Sequence, residues 1–170
     1  MTLVDRDGVR LASYRKTHLW DPFNRFESVV FRAGATPPPV ATLLGVRLGL
    51  LICWDVEFPE NCRALALQGA QLIISIAANA YSFVLSHIVP VRAFENLLHV
   101  VYCNLPGPAF CGCSRVCAPN GAALLALPAD GGDACGVATI DRQAAEWAAV
   151  AQRNPFFSHR RPALYAPLTL

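Results

Sequence analysis

The sequence predicts an α/β fold, and three neighbouring stretches carry that prediction. Residues 46–53 are apolar almost throughout, as expected of a strand covered on both faces. Pro59-Glu60 then suits the first turn of a helix, and the helical pattern runs through Arg63, Leu65 and Leu67 to Gly69, a good C-terminal cap. Residues 72–77 read as another buried strand. Strand, helix and strand at this spacing make a βαβ unit with parallel strands. The chain has 170 residues, enough for one domain with a real core, and is expected to form a single domain over 1–170. Its 54% apolar and 15% charged content points to a heavily buried, sheet-rich interior and to an interface.

The remaining elements follow in order. Residues 3–16 read as a hairpin turning at Asp7-Gly8. Residues 21–45 read as a long excursion, because Pro22, Gly34 and Pro37-Pro38-Pro39 oppose regular structure through most of it. After the βαβ unit, residues 83–98 are helical in period, with Pro90 starting or kinking the helix. Arg92 and Glu95 share a face there and read as a surface ion pair of little energetic worth. Residues 100–104 form a strand. Residues 114–118 and 122–127 pair across an Asn120-Gly121 turn. Gly131-Gly132 makes a further turn, residues 134–140 a further strand, and Asp141 caps a last helix to about Gln152. Residues 153–170, rich in proline and arginine, are expected to pack as an extended C-terminal arm.

Several functions are set aside at this level. A net charge of +2 and the lack of a basic block interleaved with aromatics give no support to nucleic-acid binding. Arg47 and Asn79 interrupt the longest apolar runs, so no membrane span is expected. Met1 to Arg6 shows no signal-peptide hydrophobic core. Seven scattered cysteines, an odd number, read as free thiols in a reducing compartment, the cytoplasm. Cys111, Cys113 and Cys117 lie close together, but without a nearby histidine or a paired two-residue-gap motif. No metal and no cofactor are expected.

The stretch from Leu48 to Glu60 carries the chemistry. A buried strand that ends at Cys53 and feeds a helix presents a side chain beside unpaired N–H groups and a positive dipole end. That environment favours a thiolate. Most free cysteines are simply small core hydrophobes, and this stretch taken alone favours that reading. Asn79 and Tyr81 follow the next strand and lie near the same sheet edge, where ligand sites form in such sheets. Lys16 and Glu27, read singly, are a charge at a strand end and a solvated loop side chain.

Taken together, these blocks resemble the nitrilase-like carbon–nitrogen hydrolases. Tyr14-Arg15-Lys16-Thr17-His18-Leu19 is similar to the family's catalytic-lysine motif. Leu51-Ile52-Cys53-Trp54-Asp55, with Phe58-Pro59-Glu60 and Gly69-Ala70, is similar to its nucleophile motif. The segment from Glu27 to Phe31 and Gly34 resembles the one that carries the second glutamate. Pro90 to Asn96, Tyr102-Cys103-Asn104, Gly112-Cys113-Ser114, Pro119-Asn120-Gly121 and Arg160 to Tyr165 resemble further family blocks, all in order.

The resemblance implies a four-layer αββα sandwich, usually dimeric, of which this chain matches the C-terminal two-thirds and lacks the N-terminal strand–helix portion. It implies Cys53 as nucleophile, with Lys16 and the Trp54 backbone N–H stabilising an oxyanion, and with Lys16 lowering the cysteine's pKa. It implies that Glu27 orients Lys16 and helps the water step. The family's first glutamate, the general base, matches no residue here. The expected activity is hydrolysis of an amide, or of a nitrile, through a cysteine thioester. Asn79 and Tyr81 are expected to contact substrate, and a homodimer or larger homo-oligomer is expected. Without the base, the chain alone is expected to be poorly active and prone to aggregate. The alternative is an impaired remnant that serves as a partner-binding or oligomerising module.

Overall fold

The computed structural model describes residues 1–22, 26–129, 132–141 and 150–169. The chain opens with β1 (Thr2–Val4) and β2 (Arg10–Ser13), an antiparallel pair forming its own small sheet. Asp5 organises the turn between them. Its Oδ1 accepts the N–H groups of Asp7 at 2.9 Å and Val9 at 2.8 Å, a side-chain turn that aspartate readily forms.

The main sheet has six strands in sequence order. They are β3 (Val40–Leu43), β4 (Val46–Ile52), β5 (Leu72–Ala77), β6 (His99–Asn104), β7 (Arg115–Cys117) and β8 (Ala123–Ala126). Strands β4, β5 and β6 run parallel, and the outer pairings are antiparallel. Helix α1 (Pro59–Leu67) crosses from β4 to β5, and α2 (Val89–Asn96) crosses from β5 to β6. Two right-handed crossovers in one direction put both helices on the same face. Leu51, Leu65, Ile73, Val89, Val100 and Tyr102 form the core between them. A Cβ at Gly49 would lie 2.8 Å from Leu65 Cδ1, so the glycine lets α1 approach the sheet. The fold class agrees with the expectation. The described residues supply the six-stranded sheet with its helical layer, and the separate two-stranded sheet, of the expected four-layer sandwich.

Helix α1 ends as expected. Gly69 has φ +83°, its N–H reaches Ala66 O at 2.9 Å, and the Ala70 N–H reaches Leu65 O at 3.0 Å. This pair of bonds satisfies carbonyls that the helix would otherwise leave open. The helix expected over 83–98 divides in two. A π-helical stretch, Val84–Ile88, leads into α2. Pro90 has no N–H for the regular ladder, and a local change of register absorbs that loss.

Four expectations need correction. The excursion over 21–45 contains β3, joined to β4 through Leu44 (φ +50°) and Gly45 (φ +74°). Two positive φ angles in a row make a tight hairpin turn without the Asn-Gly signal that usually marks one. Residues 134–140 form no strand. The segment passes β8, where a Cβ at Gly136 would meet Leu125 at 2.8 Å, and Val137 stays almost fully exposed. Strand β5 is not covered on both faces. Its side chains facing the helices are buried, but Ile76 on the other face is 42% exposed, because both crossover helices lie on one side. Residues 153–169 are a series of turns rather than an extended arm, with 3₁₀ turns at Pro162–Leu164 and Ala166–Thr169. Pro162 and Pro167 each set the φ of a first helical turn. Phe156 packs edge-on against Phe94 of α2, and Arg63 of α1 lies 5.0 Å over the Phe157 ring. Gly131 and residues 142–149, where most of the last expected helix falls, lie outside the described residues. Among the described residues, no helix is long and apolar enough to cross a membrane.

Burial in the core pushes the Cys62 thiol up to about 12 and the Cys117 thiol up to about 11. A group whose folded pKa is raised stabilises the fold below its unfolded pKa and loses that contribution as pH rises. Unfolded thiols ionise near about 8.5, so stability is expected to fall steadily between about pH 8.5 and 11. Urea midpoints measured across that range check this; a flat profile contradicts it.

Candidate active site

The carboxyl ends of β4, β5 and β6 open into a cavity of ≈ 770 Å³. Cys53 follows β4, Ala77 and Ala78 end β5, and Asn104 and Leu105 end β6, and all line it. The loop after β2 adds Lys16 and Leu19, and the segment beyond adds Glu27 and Phe31. Parallel strands leave such a crevice where their carboxyl ends meet loops. Lys16, Glu27 and Cys53, three residues singled out in sequence, therefore face one cavity.

Cys53 stands at a backbone corner. Ile52 is still extended (φ −130°, ψ 112°), whereas Cys53 has φ +52° and begins a 3₁₀ helix, Cys53–Glu57. A left-handed φ is costly for a residue with a side chain and persists only where the surroundings impose it. Two clamps impose it here.

The first clamp is Asp55. Its carboxylate is fully buried. Oδ2 accepts the Tyr14 hydroxyl at 2.8 Å and the Ile52 N–H at 3.2 Å. Oδ1 accepts the Thr17 hydroxyl at 3.1 Å and the His18 N–H at 3.0 Å, and lies 3.0 Å from His18 Nδ1. Asn61 on α1 donates to the Asp55 carbonyl at 2.9 Å. The His18 ring stacks on Phe58 with centroids 3.9 Å apart. Burial and Asp55 push the Tyr14 phenol well above its ordinary range, against a smaller opposing effect of Thr17, so it stays a donor.

The second clamp is Arg92. The sequence reads it as half of a surface pair, but its side chain is buried. Nε donates to Val56 O at 2.9 Å, a terminal nitrogen to Glu57 O at 2.8 Å, and the other to Glu95 Oε1 at 2.9 Å. These bonds satisfy the open carbonyls of the 3₁₀ turn and tie it to α2. The i, i+3 spacing was visible in the sequence; its burial against a turn 35 residues upstream was not.

Lys16 Nζ donates to Glu27 Oε2 at 2.5 Å, with both side chains largely shielded (11% and 21% exposed). The same oxygen accepts the Trp20 N–H at 2.7 Å. Asp21 Oδ1 in turn accepts the Glu27 N–H at 2.8 Å and the Ser28 N–H at 3.1 Å, which sets the carboxylate. Burial pushes the Cys53 thiol up from its ordinary value. The Ala78 backbone and the Lys16 charge pull the other way without reversing it. Lys16 thus lowers the thiol pKa as expected, but the net direction is up, because desolvation of a half-buried thiolate outweighs one shielded cation.

The side chains of the other expected site residues, Trp54, Asn79 and Tyr81, lie outside the cavity lining. Trp54 packs edge-on against Phe58 at 5.2 Å, and its side chain is not part of the cavity wall. Asn79 is buried behind the wall. It donates to the Tyr102 hydroxyl at 3.3 Å, its Oδ1 accepts the Tyr81 N–H at 2.7 Å, and its N–H reaches Asn104 Oδ1 at 2.7 Å. Tyr81 is 57% exposed and outside the lining. Asn104, which no sequence signal singled out as a site residue, joins the cavity lining at the end of β6. It is held by bonds to Asn79 O and Gly112 O at 2.9 and 2.8 Å. Burial also pushes the Glu57 carboxyl up, against Arg92, Asn79 and Lys16. Among the described residues, no group of three or more His, Cys, Asp or Glu side chains is arranged to hold a metal ion.

Comparison with known proteins adds to this geometry. The sequence profile of the family described as Carbon-nitrogen hydrolase matches residues 1–152. A Pseudomonas protegens protein described as "Hydrolase in pqqF 5'region" is 42% identical over 174 residues, covering 98% of this chain and 58% of that protein. An (R)-stereoselective amidase from Pseudomonas sp is 38% identical over 136 residues, covering 72% of this chain and 45% of that protein. Among solved structures, a variant of the amidase from Nesterenkonia sp. AN1 matches with a TM-score of 0.82 and 34% identity, covering 98% of this chain and 59% of that one. It is described as showing covalent addition of the acetamide moiety of fluoroacetamide at the active site cysteine. The chain spans roughly half the length of the relatives it matches.

Two outcomes are expected from this geometry. Asp55→Ala strands several buried donors, each worth about 1–3 kcal/mol when unsatisfied, and so lowers stability by about 3 kcal/mol or more, read as a drop in urea midpoint. Lys16→Met removes a charge that favours the thiolate, and so moves the Cys53 pKa further up. The pH dependence of iodoacetamide alkylation, mapped to the Cys53 peptide, reads that shift; a downward shift contradicts it.

Proposed function

The chain belongs to the carbon–nitrogen hydrolase family, and on that premise we propose that it is the part of an amidase that carries the nucleophile and the oxyanion lysine. The observation that supports this most directly is the convergence of Cys53, Lys16 and Glu27 on one cavity. Relatives named as amidases support amide hydrolysis as the general chemistry.

In this reading, Cys53 Sγ attacks the amide carbon and a C–S bond forms. The carbonyl oxygen takes the electron pair and is stabilised by the Lys16 ammonium and the Trp54 backbone N–H. The C–N bond then breaks, and the nitrogen leaves as ammonia or amine with the proton taken from the thiol. Water cleaves the thioester, releasing the carboxylate and restoring the thiol. Glu27 acts on Lys16. Its Oε2 is committed to the ammonium and to the Trp20 N–H, which holds the cation over the cavity rather than leaving a free base. Glu27 is the only carboxylate among the described lining residues. In this reading, serving Cys53 as base is the role that the family resemblance gives to a first glutamate, which matches no residue here.

The raised thiol pKa bears on this division of labour. A thiol that stays protonated near neutral pH needs a base to take its proton during attack, and a missing base costs a factor of about 10² to 10⁴. An ester with a good leaving group asks less of that base. Incubation of the chain with p-nitrophenyl acetate is therefore expected to acetylate Cys53, read by intact mass and peptide mapping. The adduct is expected to be absent in Cys53→Ala and to form about 10² to 10³ times more slowly in Lys16→Met. Acetylation spread evenly over the exposed cysteines Cys103 and Cys135 contradicts the proposal.

A further inference from the structure

The loop between β6 and β7 carries two cysteines that the chemistry above does not use. Cys111 and Cys113 flank Gly112, and both are free thiols that are only partly buried. Gly112 (φ +57°) and Cys113 (φ +56°) are both left-handed, a conformation that curls the chain tightly and that Cys113 adopts at a cost. The two thiols lie within hydrogen-bonding reach of one another, and the Cys113 thiol joins burial in pushing the Cys111 thiol up from its ordinary value. Cys117, the next cysteine in sequence, is fully buried in the core. Among the described residues, no third ligand makes the pair a metal site.

This loop also supports the nucleophile. Asn104 Nδ2 reaches Cys111 Sγ at 3.4 Å, Gly112 O at 2.8 Å and Asn79 O at 2.9 Å. The Cys111 N–H donates to the same Asn79 carbonyl at 3.0 Å, and the Asn79 N–H donates to Asn104 Oδ1 at 2.7 Å. Asn104 and Cys111 therefore hold both backbone groups of Asn79. The residue before it is Ala78, whose backbone favours the Cys53 thiolate. A continuous set of hydrogen bonds thus links the thiol pair to the backbone that serves Cys53, the kind of contact chain through which two sites couple.

We infer that Cys111 and Cys113 are a redox-active dithiol, which a small-molecule disulfide such as glutathione disulfide closes to a Cys111–Cys113 bond, and that closure slows the Cys53 nucleophile. One cysteine thiolate attacks a glutathione sulfur. A protein–glutathione S–S bond forms, the glutathione S–S bond breaks, and the departing thiolate takes up the proton that the cysteine gave up. The second cysteine then attacks the protein-bound sulfur, closes the ring and releases the second glutathione. Two protein thiols are oxidised and one disulfide is reduced to two thiols. A ring closed across a single residue is strained and partly exposed, which makes it easily reduced again. Closure turns the Cys111 sulfur from Asn104 towards Cys113 and moves the Gly112 carbonyl, so the hold on Asn79 and Ala78 loosens. The consequence for amide hydrolysis rests on the amidase reading; the disulfide and its effect on the Cys53 thiol do not.

The chain is equilibrated with glutathione disulfide, quenched in acid, alkylated and mapped by mass. The expected result is the loss of two hydrogens, with Cys111 and Cys113 linked to each other, reversed by dithiothreitol and absent in Cys113→Ser. Glutathione adducts alone at the two positions, no reaction there, or a two-hydrogen loss that persists in Cys113→Ser would each overturn the inference. In the oxidised chain, iodoacetamide is expected to alkylate free Cys53 about fivefold more slowly than in the reduced chain, the scale of one weakened hydrogen bond. Cys113→Ser treated in the same way is expected to keep the reduced rate. Equal Cys53 rates in the two redox forms also overturn the inference. The amidase reading fails separately, through absence of the Cys53 acetyl adduct in the reduced chain.

Discussion

The structure of the site depends on one buried carboxylate. Asp55 has no access to solvent, and a charge in that position is tolerable only if its oxygens are fully engaged. They are engaged from two sides. Tyr14, Thr17 and His18 come from the loop that carries Lys16, and Ile52 comes from the strand that carries Cys53. Satisfying Asp55 therefore sets the lysine loop against the nucleophile turn. The raised Tyr14 pKa belongs to the same logic. A phenol that cannot ionise beside a carboxylate remains a donor to it.

Arg92 completes the frame from the other side. Its guanidinium takes two carbonyls of the 3₁₀ turn and one carboxylate oxygen of Glu95. Asp55 fixes where the turn starts, and Arg92 fixes where it ends. Between them, Cys53 is held in a conformation that a non-glycine residue rarely adopts. That posture aims the thiol into the cavity but also half-buries it, and burial is the larger influence on its pKa. Position and activation are thus separate problems in this fold. The strand end sets the first, and the surroundings of the thiol set the second.

The segment from Glu27 to Gly34 shows how few contacts organise a large share of the cavity wall. It carries no regular strand or helix. Its course is set by the Lys16–Glu27 bond, the Asp21 bonds to the Glu27 and Ser28 N–H groups, and the close approach of Gly34 to Arg15. Val29, Val30 and Phe31 remain exposed along it. Together with Ile76 and Cys103, they leave the side of the sheet away from the helices only partly covered.

Much of this was determined by sequence alone. The apolar runs at β4 and β5, Pro59 at the helix start and Gly69 at its end are local signals, and each acts through a local cause: burial, a fixed φ, a permitted positive φ. They define a βαβ unit wherever the rest of the chain goes. The motif blocks around Lys16, Glu27 and Cys53 likewise point to one chemistry, and the three side chains line one cavity. What only the tertiary structure decided depends on partners distant in sequence. Leu44-Gly45 became a hairpin because β3 had β4 to pair with, and residues 134–140 stayed out of the sheet despite a strand-like pattern. Arg92 changed from a surface charge to a buried clamp because the carbonyls it needed lay 35 and 36 residues away. Asn79 lies behind the cavity wall because its partners, Tyr102 and Asn104, stand 23 and 25 residues further along the chain. The thiol pKa rose because desolvation is a property of the assembled surroundings, which no local pattern encodes.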